Sequence, residues 1–366
     1  MTKAPEIIAE AGSNHNGDPD RACALIDLAA RVGASSVKFQ FILAKGLYLD
    51  DFYDGKGYVP NPVFDQRRSE ELSEGDWRHI WDHAKAKGIP VSASVFCQEG
   101  LALLRRLGAP YVKIASTDLT NHALIEKACT FFDRVIVSTG MATLAEIDTM
   151  LRCVRASHPK TDLQLMHCVS AYPCPLEDAN TQRLGMLKRA FGLPVGYSDH
   201  TGDNISAAMA LMQGADFFEK HFTTDQRLPG FDHRHALDGL GLENYVRTLT
   251  AATASLSRPA NHLSDREQVT RIRARRGVYA ARDLPAGHLL RPEDLLFVRP
   301  STEFTVTDPA VLVGKRLEVD VARHAALGPS HAVKVVESRW QAAKDYWGRE
   351  MSEKGMSMSE SAEKAD

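Results

Sequence analysis

Two segments of the sequence, PVGYSDHT and DFFEKHFT, each place a histidine two positions after an oxygen-bearing side chain at the end of an apolar run. Side chains alternate along a β-strand, so Ser198 and His200 share one face, as do Glu219 and His221. Two imidazoles beside carboxylate or water oxygens can bind a divalent transition metal. The matched positions predict a metal held by His200 and His221, whereas either histidine alone is better interpreted as a buried, hydrogen-bonded side chain.

Lysine and hydroxyl side chains lie at the carboxyl ends of other short apolar runs. Lys38 lies in SVKFQ and Lys113 lies in PYVKIAS. Ammonium groups accompanied by hydroxyl donors suit a phosphate. A single lysine of this kind can direct its ammonium out to solvent, but two at corresponding strand ends predict an anion site. Hydroxyls at comparable positions belong to Ser94, Ser116, Ser138 and Ser198.

Eight apolar runs carry these polar ends, and amphipathic helical segments separate most of them through residues 1–255. Repeated strand–helix alternation predicts an α/β fold, a closed (β/α)8 TIM barrel, in which active sites lie at the carboxyl ends of the strands. An open doubly wound sheet is the alternative, because a sequence does not reveal closure. The runs are EIIAEAG, SVKFQ, IPVSASVF, PYVKIAS, RVIVSTG, LQLMHCV, VGYSDH and FFEKHFT.

One connection departs from this rhythm. The stretch ILAKGLYLDDFYDGKGYVPNPVFDQRRSEEL follows the second run. Connections of that length are usually functional or disordered. Its aromatic residues and mixed charge predict a folded lid over a site.

The composition changes after residue 255. Residues 256–276 are rich in arginine and predict a solvated linker, and residues 277–336 are short strand-like pieces separated by glycine and proline. This pattern predicts a small, mostly β domain. Residues 337–366 predict a helical extension that runs into a disordered tail.

The overall composition narrows the classes of partner. The chain has 366 residues, 44% of them hydrophobic and 25% charged, with a formal net charge of -3. The sequence lacks the excess of positive charge that would attract nucleic acid, and it has no apolar run long enough to cross a membrane. The six cysteines are scattered without a CxxC pair, as in reduced proteins. We therefore expect a cytoplasmic protein that binds small molecules.

In order along the chain, these residues closely resemble the sialic acid synthase family, which joins phosphoenolpyruvate to an N-acylated hexosamine. The resemblance covers nearly the whole chain. It implies a barrel followed by an antifreeze-like (SAF, β-clip) domain, a domain-swapped homodimer, and N-acetylmannosamine or a di-N-acetyl relative as the sugar. The matching stretches are IIAEAGSNHNGD, VKFQ, VKIASTDLTN, STGMATLAEI, HCVSAYPCP, GYSDHT, EKHFT, AARDLPAG and VRP.

The resemblance also implies roles for single residues. His200 and His221 would bind the metal, usually Mn²⁺ with Mg²⁺ or Co²⁺ as alternatives. Glu10 would orient water or the sugar aldehyde, and Asp232 would assist with the sugar. Arg299 would enter the site of the other subunit and contact the acylamido group. Further substrate contacts are implied for Lys38, Ser94, Lys113, Ser116, Asp118, Ser138, Ser170, Tyr172 and Ser198.

Three other functions fit parts of the pattern. A Schiff-base aldolase would use Lys113 or Lys38 as its nucleophilic amine. A deoxy-sugar phosphate synthase would need arginines for a second phosphate, and Arg67 and Arg68 are the candidates near the lid. A non-catalytic glycan-binding protein would use the C-terminal domain, but it would have little use for the polar strand ends.

Overall fold

The computed structural model describes residues 5–302 and 312–327. The chain divides into two compact units, residues 1–258 and 259–366. The strands are β1 (Glu6–Gly12), β2 (Ser36–Phe41), β3 (Asp51–Tyr53), β4 (Tyr58–Pro60), β5 (Val91–Val95), β6 (Val112–Ile114), β7 (Arg134–Ser138), β8 (Asp162–His167), β9 (Val195–Asp199), β10 (Phe217–His221), β11 (Gly277–Ala280) and β12 (Leu295–Val298). The α-helices are α1 (Pro19–Arg31), α2 (Ala44–Leu47), α3 (Pro62–Ser69), α4 (Glu74–Lys87), α5 (Gln98–Arg106), α6 (His122–Phe131), α7 (Leu144–Ser157), α8 (Gln182–Phe191), α9 (Ile205–Met212), α10 (Gly239–Ser255) and α11 (Asp265–Ala274).

The first unit is a closed barrel with the strand order β1-β10-β9-β8-β7-β6-β5-β2. All eight strand pairs are parallel, and each of the eight apolar runs forms one strand. The strands are buried on both faces, because helices cover the outside and side chains fill the inside. The structure therefore confirms the predicted closed barrel over the open sheet.

Helix caps fix where the chain turns back from the barrel rim. Asp18 accepts hydrogen bonds from the backbone N–H groups of Asp20 and Arg21 at the start of α1. Thr143 and Glu146 cap each other at the start of α7, directly after β7. None of the helices in the described ranges has the length and apolar composition that a membrane crossing needs.

The barrel interior below the carboxyl rim is filled by an apolar cluster, formed by Ile8, Tyr111, Ile136, Met166 and Phe217. These residues share the strand face of the polar rim residues, since they lie an even number of positions before them. The polar rim therefore rests on a packed floor rather than on an open channel.

The long connection after β2 is folded, as predicted. It contains the short helix α2, the antiparallel hairpin β3–β4 and the helix α3. Asn61 caps α3 through the backbone N–H of Val63, at 3.1 Å. The connection contributes Ile42, Leu47, Tyr48 and Arg67 to the wall of the cavity described below.

The second unit contains the antiparallel pair β11–β12 and a core of its own. The segment predicted as a linker is not irregular throughout, because residues 265–274 form α11, capped by Ser264 and Glu267. The predicted extension over residues 337–366 lies outside the described residues. The core of this unit consists of Val278, Ala280, Leu284, Leu290, Leu295, Leu312, Leu317, Val321 and Leu327.

Candidate active site

A cavity of about 490 Å³ lies at the carboxyl rim of the barrel. It brings together nearly all of the residues that the sequence marked as a site, although they come from eight different strands and the loops that follow them. The predicted residues in its wall are Glu10, Lys38, Ser94, Lys113, Ser116, Ser138, Ser170, Tyr172, Ser198, His200, His221 and Asp232.

Asp118 and Arg299 are not in this wall. Asp118 is half-buried and accepts hydrogen bonds from Thr117 Oγ1 at 2.9 Å and from Asn121 Nδ2 at 3.3 Å. It therefore stabilises the turn after β6 in this structure. Arg299 is exposed at the end of β12 in the second unit.

Strand register explains how the charged rim residues become neighbours. Glu10 on β1 pairs with Lys38 on β2 and, on its other side, with His221 on β10. Ser94 pairs with Lys113 in the same way across β5 and β6. The fold therefore sets these contacts through the backbone, before any side-chain preference acts.

Lys38 is buried and is surrounded by oxygen atoms. Its ammonium group forms an ion pair with the Glu10 carboxylate and donates to Ser94 Oγ at 2.8 Å. Glu219 Oε2 lies 3.6 Å from the same nitrogen. A buried charge is tolerated only with such compensation, so the lysine is held inside the barrel and does not extend into solvent.

Lys113 is held in a similar way. Its Nζ lies 2.5 Å from Glu219 Oε1, and the same oxygen accepts a hydrogen bond from Ser198 at 2.8 Å. Glu219 was not among the assigned site residues, although its alternation with His221 placed it on the inward face. It bridges the two lysines and is part of the wall.

The two buried carboxyl groups have opposite pKa shifts. Burial raises the pKa of Glu10 to about 7, against the opposing pull of Lys38. For Glu219 the attraction of Lys113 and Lys38 outweighs burial, so its pKa lies well below the usual range. The Lys113 pKa is raised, because Glu219 and Glu10 outweigh the effect of burial. The raised pKa of Lys113 keeps its ammonium group charged near neutral pH, and that charge can bind an anion.

Three consecutive ionisable residues in a core strand, Glu219, Lys220 and His221, point to opposite faces of that strand. Glu219 and His221 face the cavity, whereas Lys220 faces the helices outside the barrel. There Lys220 Nζ lies 3.2 Å from Asp199 Oδ2 and donates to the carbonyl oxygen of Thr201 at 2.6 Å. Lys220 therefore anchors the chain that follows β9 and has no place in the cavity.

His200 is oriented by the backbone. Its Nδ1 lies 2.6 Å from the carbonyl oxygen of Val169, which fixes the proton on Nδ1 and leaves the Nε2 lone pair free, 3.1 Å from Ser198 Oγ. The ring centroids of His200 and His221 are 5.6 Å apart. Burial lowers the pKa of His200 to about 3 and that of His221 to about 4. Both imidazoles are therefore neutral and able to act as ligands near neutral pH.

Around His221 the structure adds a residue that the sequence did not mark. His221 Nδ1 lies 3.8 Å from Asp232 Oδ2, and His235 Nε2 lies 3.7 Å from Asp232 Oδ1. His235 belongs to a short 3-10 turn in an irregular loop. No periodic pattern runs through that loop, so sequence reasoning had nothing with which to place His235.

Some of the serine hydroxyl groups in the cavity wall already make hydrogen bonds within the protein. Ser116 Oγ accepts from the backbone N–H of Gly140 at 3.1 Å, and Ser94 and Ser198 contact Lys38 and Glu219 as described. In contrast, Ser138 Oγ is buried and has no hydrogen-bond partner among the described residues. A buried hydroxyl without a partner is costly, and a ligand in the cavity would remove that cost.

Comparison with known proteins decides the family. The sequence profile of the NeuB family matches residues 25–260, and that of the SAF domain matches residues 275–333. The chain belongs to the NeuB family. The profiles thus confirm both the resemblance read from the motifs and the small second domain.

Relatives of this NeuB chain are similar over most of their length. It is 32% identical over 329 residues to the N,N'-diacetyllegionaminic acid synthase of Legionella pneumophila, covering 88% of this chain and 92% of that protein. It is 33% identical over 316 residues to the enzyme of the same name from Campylobacter jejuni, covering 84% and 94%.

A solved structure agrees with the fold. The crystal structure of the N-acetylneuraminic acid (sialic acid) synthetase of Leptospira borgpetersenii, in complex with citrate, has a TM-score of 0.65 and 30% identity. The match covers 73% of this NeuB chain and 90% of the Leptospira chain. Membership of a family of acid synthases confirms the prediction that the chain is an enzyme.

Proposed function

We propose that the protein condenses phosphoenolpyruvate with an N-acylated hexosamine, giving a nonulosonic (sialic-type) acid and phosphate. One observation carries this proposal: the buried lysines Lys38 and Lys113 face one cavity, beside two neutral imidazoles. Phosphoenolpyruvate carries both a phosphate and a carboxylate, and charge-assisted hydrogen bonds to such groups are strong. The names of the relatives support a synthase of this class.

Lys38 and Lys113 are the proposed clamps on phosphoenolpyruvate. Both ammonium groups are already paired with glutamates, so an arriving anion would share them with Glu10 and Glu219 rather than meet a bare charge. The partner-free hydroxyl of Ser138 is a ready donor for one of its oxygens.

In the proposed reaction, C3 of the enol attacks the sugar aldehyde and forms the new C–C bond. The aldehyde oxygen takes a proton and becomes a hydroxyl group. Water adds to C2, and the C2–O bond to phosphate breaks, so phosphate leaves with its bridging oxygen and C2 becomes a ketone. Burial raises the pKa of Glu10 to about 7, which suits its carboxyl group to exchange a proton with the attacking water.

A divalent metal belongs to this proposal. The neutral imidazoles of His200 and His221, with the nearby Asp232 carboxylate, are donors of the type that Mn²⁺ accepts, with Mg²⁺ or Co²⁺ as alternatives. When bound, the cation would act as a Lewis acid that polarises the aldehyde.

The sugar is proposed to be N-acetylmannosamine or a di-N-acetylated relative. Its acylamido group would be contacted by Arg299 of the other subunit of a homodimer with exchanged C-terminal domains. The exposed position of Arg299 at the end of β12 is compatible with such a role.

The charge pattern weighs against two alternatives. A Schiff-base lysine must lose its proton, but Glu219 and Glu10 raise the pKa of Lys113. For a second substrate phosphate, Arg67 is already bound to Ser13 at 2.9 Å and to Glu70 at 3.1 Å, and Arg68 is exposed outside this cavity wall.

The proposal is tested with purified protein, phosphoenolpyruvate labelled with ¹⁸O at the bridging oxygen, and a panel of N-acylated hexosamines. We expect phosphate release that depends on the sugar, with the label in phosphate and a nonulosonic acid detected by mass spectrometry. Covalent trapping of pyruvate by borohydride, without sugar-dependent phosphate release, would instead establish the aldolase.

A further inference from the structure

We infer that Arg67 binds the sugar substrate, through N–H donors that suit an uncharged oxygen such as a hydroxyl or an acyl carbonyl oxygen. The inference rests on the proposed function for the second substrate, and it adds that this sugar carries no phosphate. Arg67 lies on α3, in the folded connection after β2, and forms part of the cavity wall.

Part of the guanidinium group of Arg67 makes no hydrogen bond. The residue is only 8% exposed, and Nη1 alone donates, to Ser13 Oγ at 2.9 Å and to Glu70 Oε2 at 3.1 Å. Within residues 5–302 and 312–327, Nε and Nη2 have no hydrogen-bond partner, and Nε is fully buried. Unpaired donors on a buried arginine are costly, and a substrate oxygen would remove that cost.

Glu70 determines which kind of oxygen this group suits. It lies at the end of α3, and its mostly buried carboxylate compensates the charge of the guanidinium group. A phosphate in contact with Arg67 would be repelled by that carboxylate. A hydroxyl or amide carbonyl oxygen accepts the same N–H donors without this repulsion. The ion pair therefore favours a neutral substituent on the sugar.

The ring of Phe231 restricts the orientation of the guanidinium group. Arg67 Cζ lies over this ring, 3.6 Å from its centroid. Arginine commonly stacks on aromatic faces in this way. Phe231 belongs to the loop between β10 and α10 and directly precedes Asp232 in the sequence. The donors of Arg67 thus have a defined direction, which discrimination between substrates requires.

Neighbouring contacts place Arg67 beside the residues that are proposed to act on the sugar. Its partner Ser13 directly follows Gly12. A Cβ atom on Gly12 would collide with Asp232 Oδ2 and would lie 3.6 Å from Glu10 Oε1. Ser13 therefore brings the guanidinium group to the part of the cavity wall that contains these two carboxyl groups.

The barrel places the proposed donor for phosphoenolpyruvate on the other side of the cavity. Ser138 ends β7, and β7 lies four strands from β1 in either direction around the barrel. Ser13, the partner of Arg67, follows β1. Both Ser138 and Arg67 have donors without a partner among the described residues, so one would serve each substrate.

A purely structural role for Arg67 is the alternative. Its contacts with Ser13 and Phe231 join the connection after β2 to two other loops of the barrel rim. Loss of that joint would lower stability and disturb the binding of both substrates. Loss of a contact to the sugar would affect one substrate only, so the two roles predict different Michaelis constants.

The first test compares Arg67→Met with Arg68→Met in the full-length protein. Arg68 is the neighbouring arginine on α3, but it is exposed and outside the cavity wall, so it is the matched control. We expect Arg67→Met to raise the Michaelis constant for the sugar about tenfold and to leave that for phosphoenolpyruvate within about twofold of the control. Equal increases for both substrates, or an unchanged constant for the sugar, would overturn the inference.

A second variant keeps Arg67 and changes only its charge balance. Glu70→Gln preserves the side-chain volume and removes the compensating carboxylate, and its circular dichroism should match that of the unaltered protein. The probes are N-acetylmannosamine and its 6-phosphate, titrated by calorimetry. The unaltered protein should bind the free sugar more tightly, and Glu70→Gln should bind the 6-phosphate at least about fivefold better than the unaltered protein does. A preference of the unaltered protein for the 6-phosphate, or no gain in Glu70→Gln, would overturn the inference.

Calorimetry measures binding without turnover, so the inference and the proposed function can fail separately. Sugar binding that depends on Arg67, without condensation, would refute the proposed function and leave the inference standing. Condensation by the unaltered protein, with equal sugar binding in Arg67→Met and Arg68→Met, would overturn the inference alone. If the unaltered protein binds no sugar of the panel, both are wrong.

Discussion

Lys113 and Glu219 face each other inside the barrel, with Lys113 Nζ 2.5 Å from Glu219 Oε1, although 106 residues separate them in the chain. Each would be costly to bury alone. Their pairing keeps a protonated amine in the cavity wall, ready for an anion, and makes the lysine both a structural and a binding residue. The two roles can be separated by experiment.

Lys113→Met should weaken phosphoenolpyruvate binding about ten- to a hundredfold, because a charge-assisted contact is worth roughly 1.5–3 kcal/mol. It should also lower the free energy of unfolding by about 3 kcal/mol, since it leaves Glu219 with less compensation. The measurements are the Michaelis constant for phosphoenolpyruvate and urea unfolding.

The double variant Lys113→Met/Glu219→Gln distinguishes the two roles. It removes both charges, so we expect much of the lost stability to return while phosphoenolpyruvate binding stays weak. Lys85→Met, on an exposed helix surface, is the control. Equal recovery of stability and binding in the double variant would show that Lys113 only stabilises the fold.

The sequence predicted the position of a site residue wherever that residue lies in or at the end of a β-strand. Alternation placed Ser198 with His200 and Glu219 with His221, and position at a strand end marked Lys38 and Lys113. The eight strand ends necessarily meet at one rim once the barrel closes. Closure of the barrel and the register of its strands depend on contacts between segments that are distant in the sequence. A short stretch of sequence therefore does not predict them. The change in composition after residue 255 predicted the second domain, and the resemblance implied its antifreeze-like type.

Loop residues were beyond this reasoning. His235 lies in the loop between β10 and α10, where no repeat of two or 3.6 residues exists to fix a direction. Asp118 also lies outside strand periodicity: the resemblance implies a substrate role for it, and the structure shows its hydrogen bonds within a turn. Whether it also contacts substrate stays a prediction.

Stability should depend on pH through Glu10. Its ordinary pKa of 4.5 is raised to about 7 in the folded protein. Between these values the folded state keeps a proton that the unfolded state has released, so the free energy of unfolding falls as the pH rises through this window. Glu10→Gln cannot ionise, so its stability relative to the unaltered protein should increase from about pH 5 and level off above about pH 7. Urea unfolding at several pH values measures this difference, and a constant difference would contradict the assignment.

Gly12→Ala should impair the site through Asp232. Gly12 has φ +56°, and a Cβ atom there would collide with Asp232 Oδ2. We expect the backbone strain to cost about 1 kcal/mol and the displaced carboxylate to reduce activity as well. Gly33→Ala is the matched control, because Gly33 has φ +80° but open space around its Cβ. Both variants should lose similar stability, and only Gly12→Ala should lose activity; equal activity in the two would show that Asp232 tolerates displacement.

The exchange of C-terminal domains is tested by mixing two inactive proteins, Arg299→Ala and His221→Ala. If Arg299 serves the barrel of the other subunit, a heterodimer contains one site with both defects and one with neither. After random exchange of equal amounts, about half of the dimers should be heterodimers, so about a quarter of all active sites should be intact. Activity after exchange measures this fraction, with heterodimer formation followed by native mass spectrometry.

The control mixture is Lys113→Met with His221→Ala. These residues line the same cavity of one barrel, so no heterodimer of these variants contains an intact site, whichever subunit supplies Arg299. Recovery confined to the first mixture therefore requires that Arg299 act across the subunit boundary. If neither mixture recovers activity although heterodimers are detected, each chain completes its own site. The proposal that Arg299 acts in the other subunit would then be wrong.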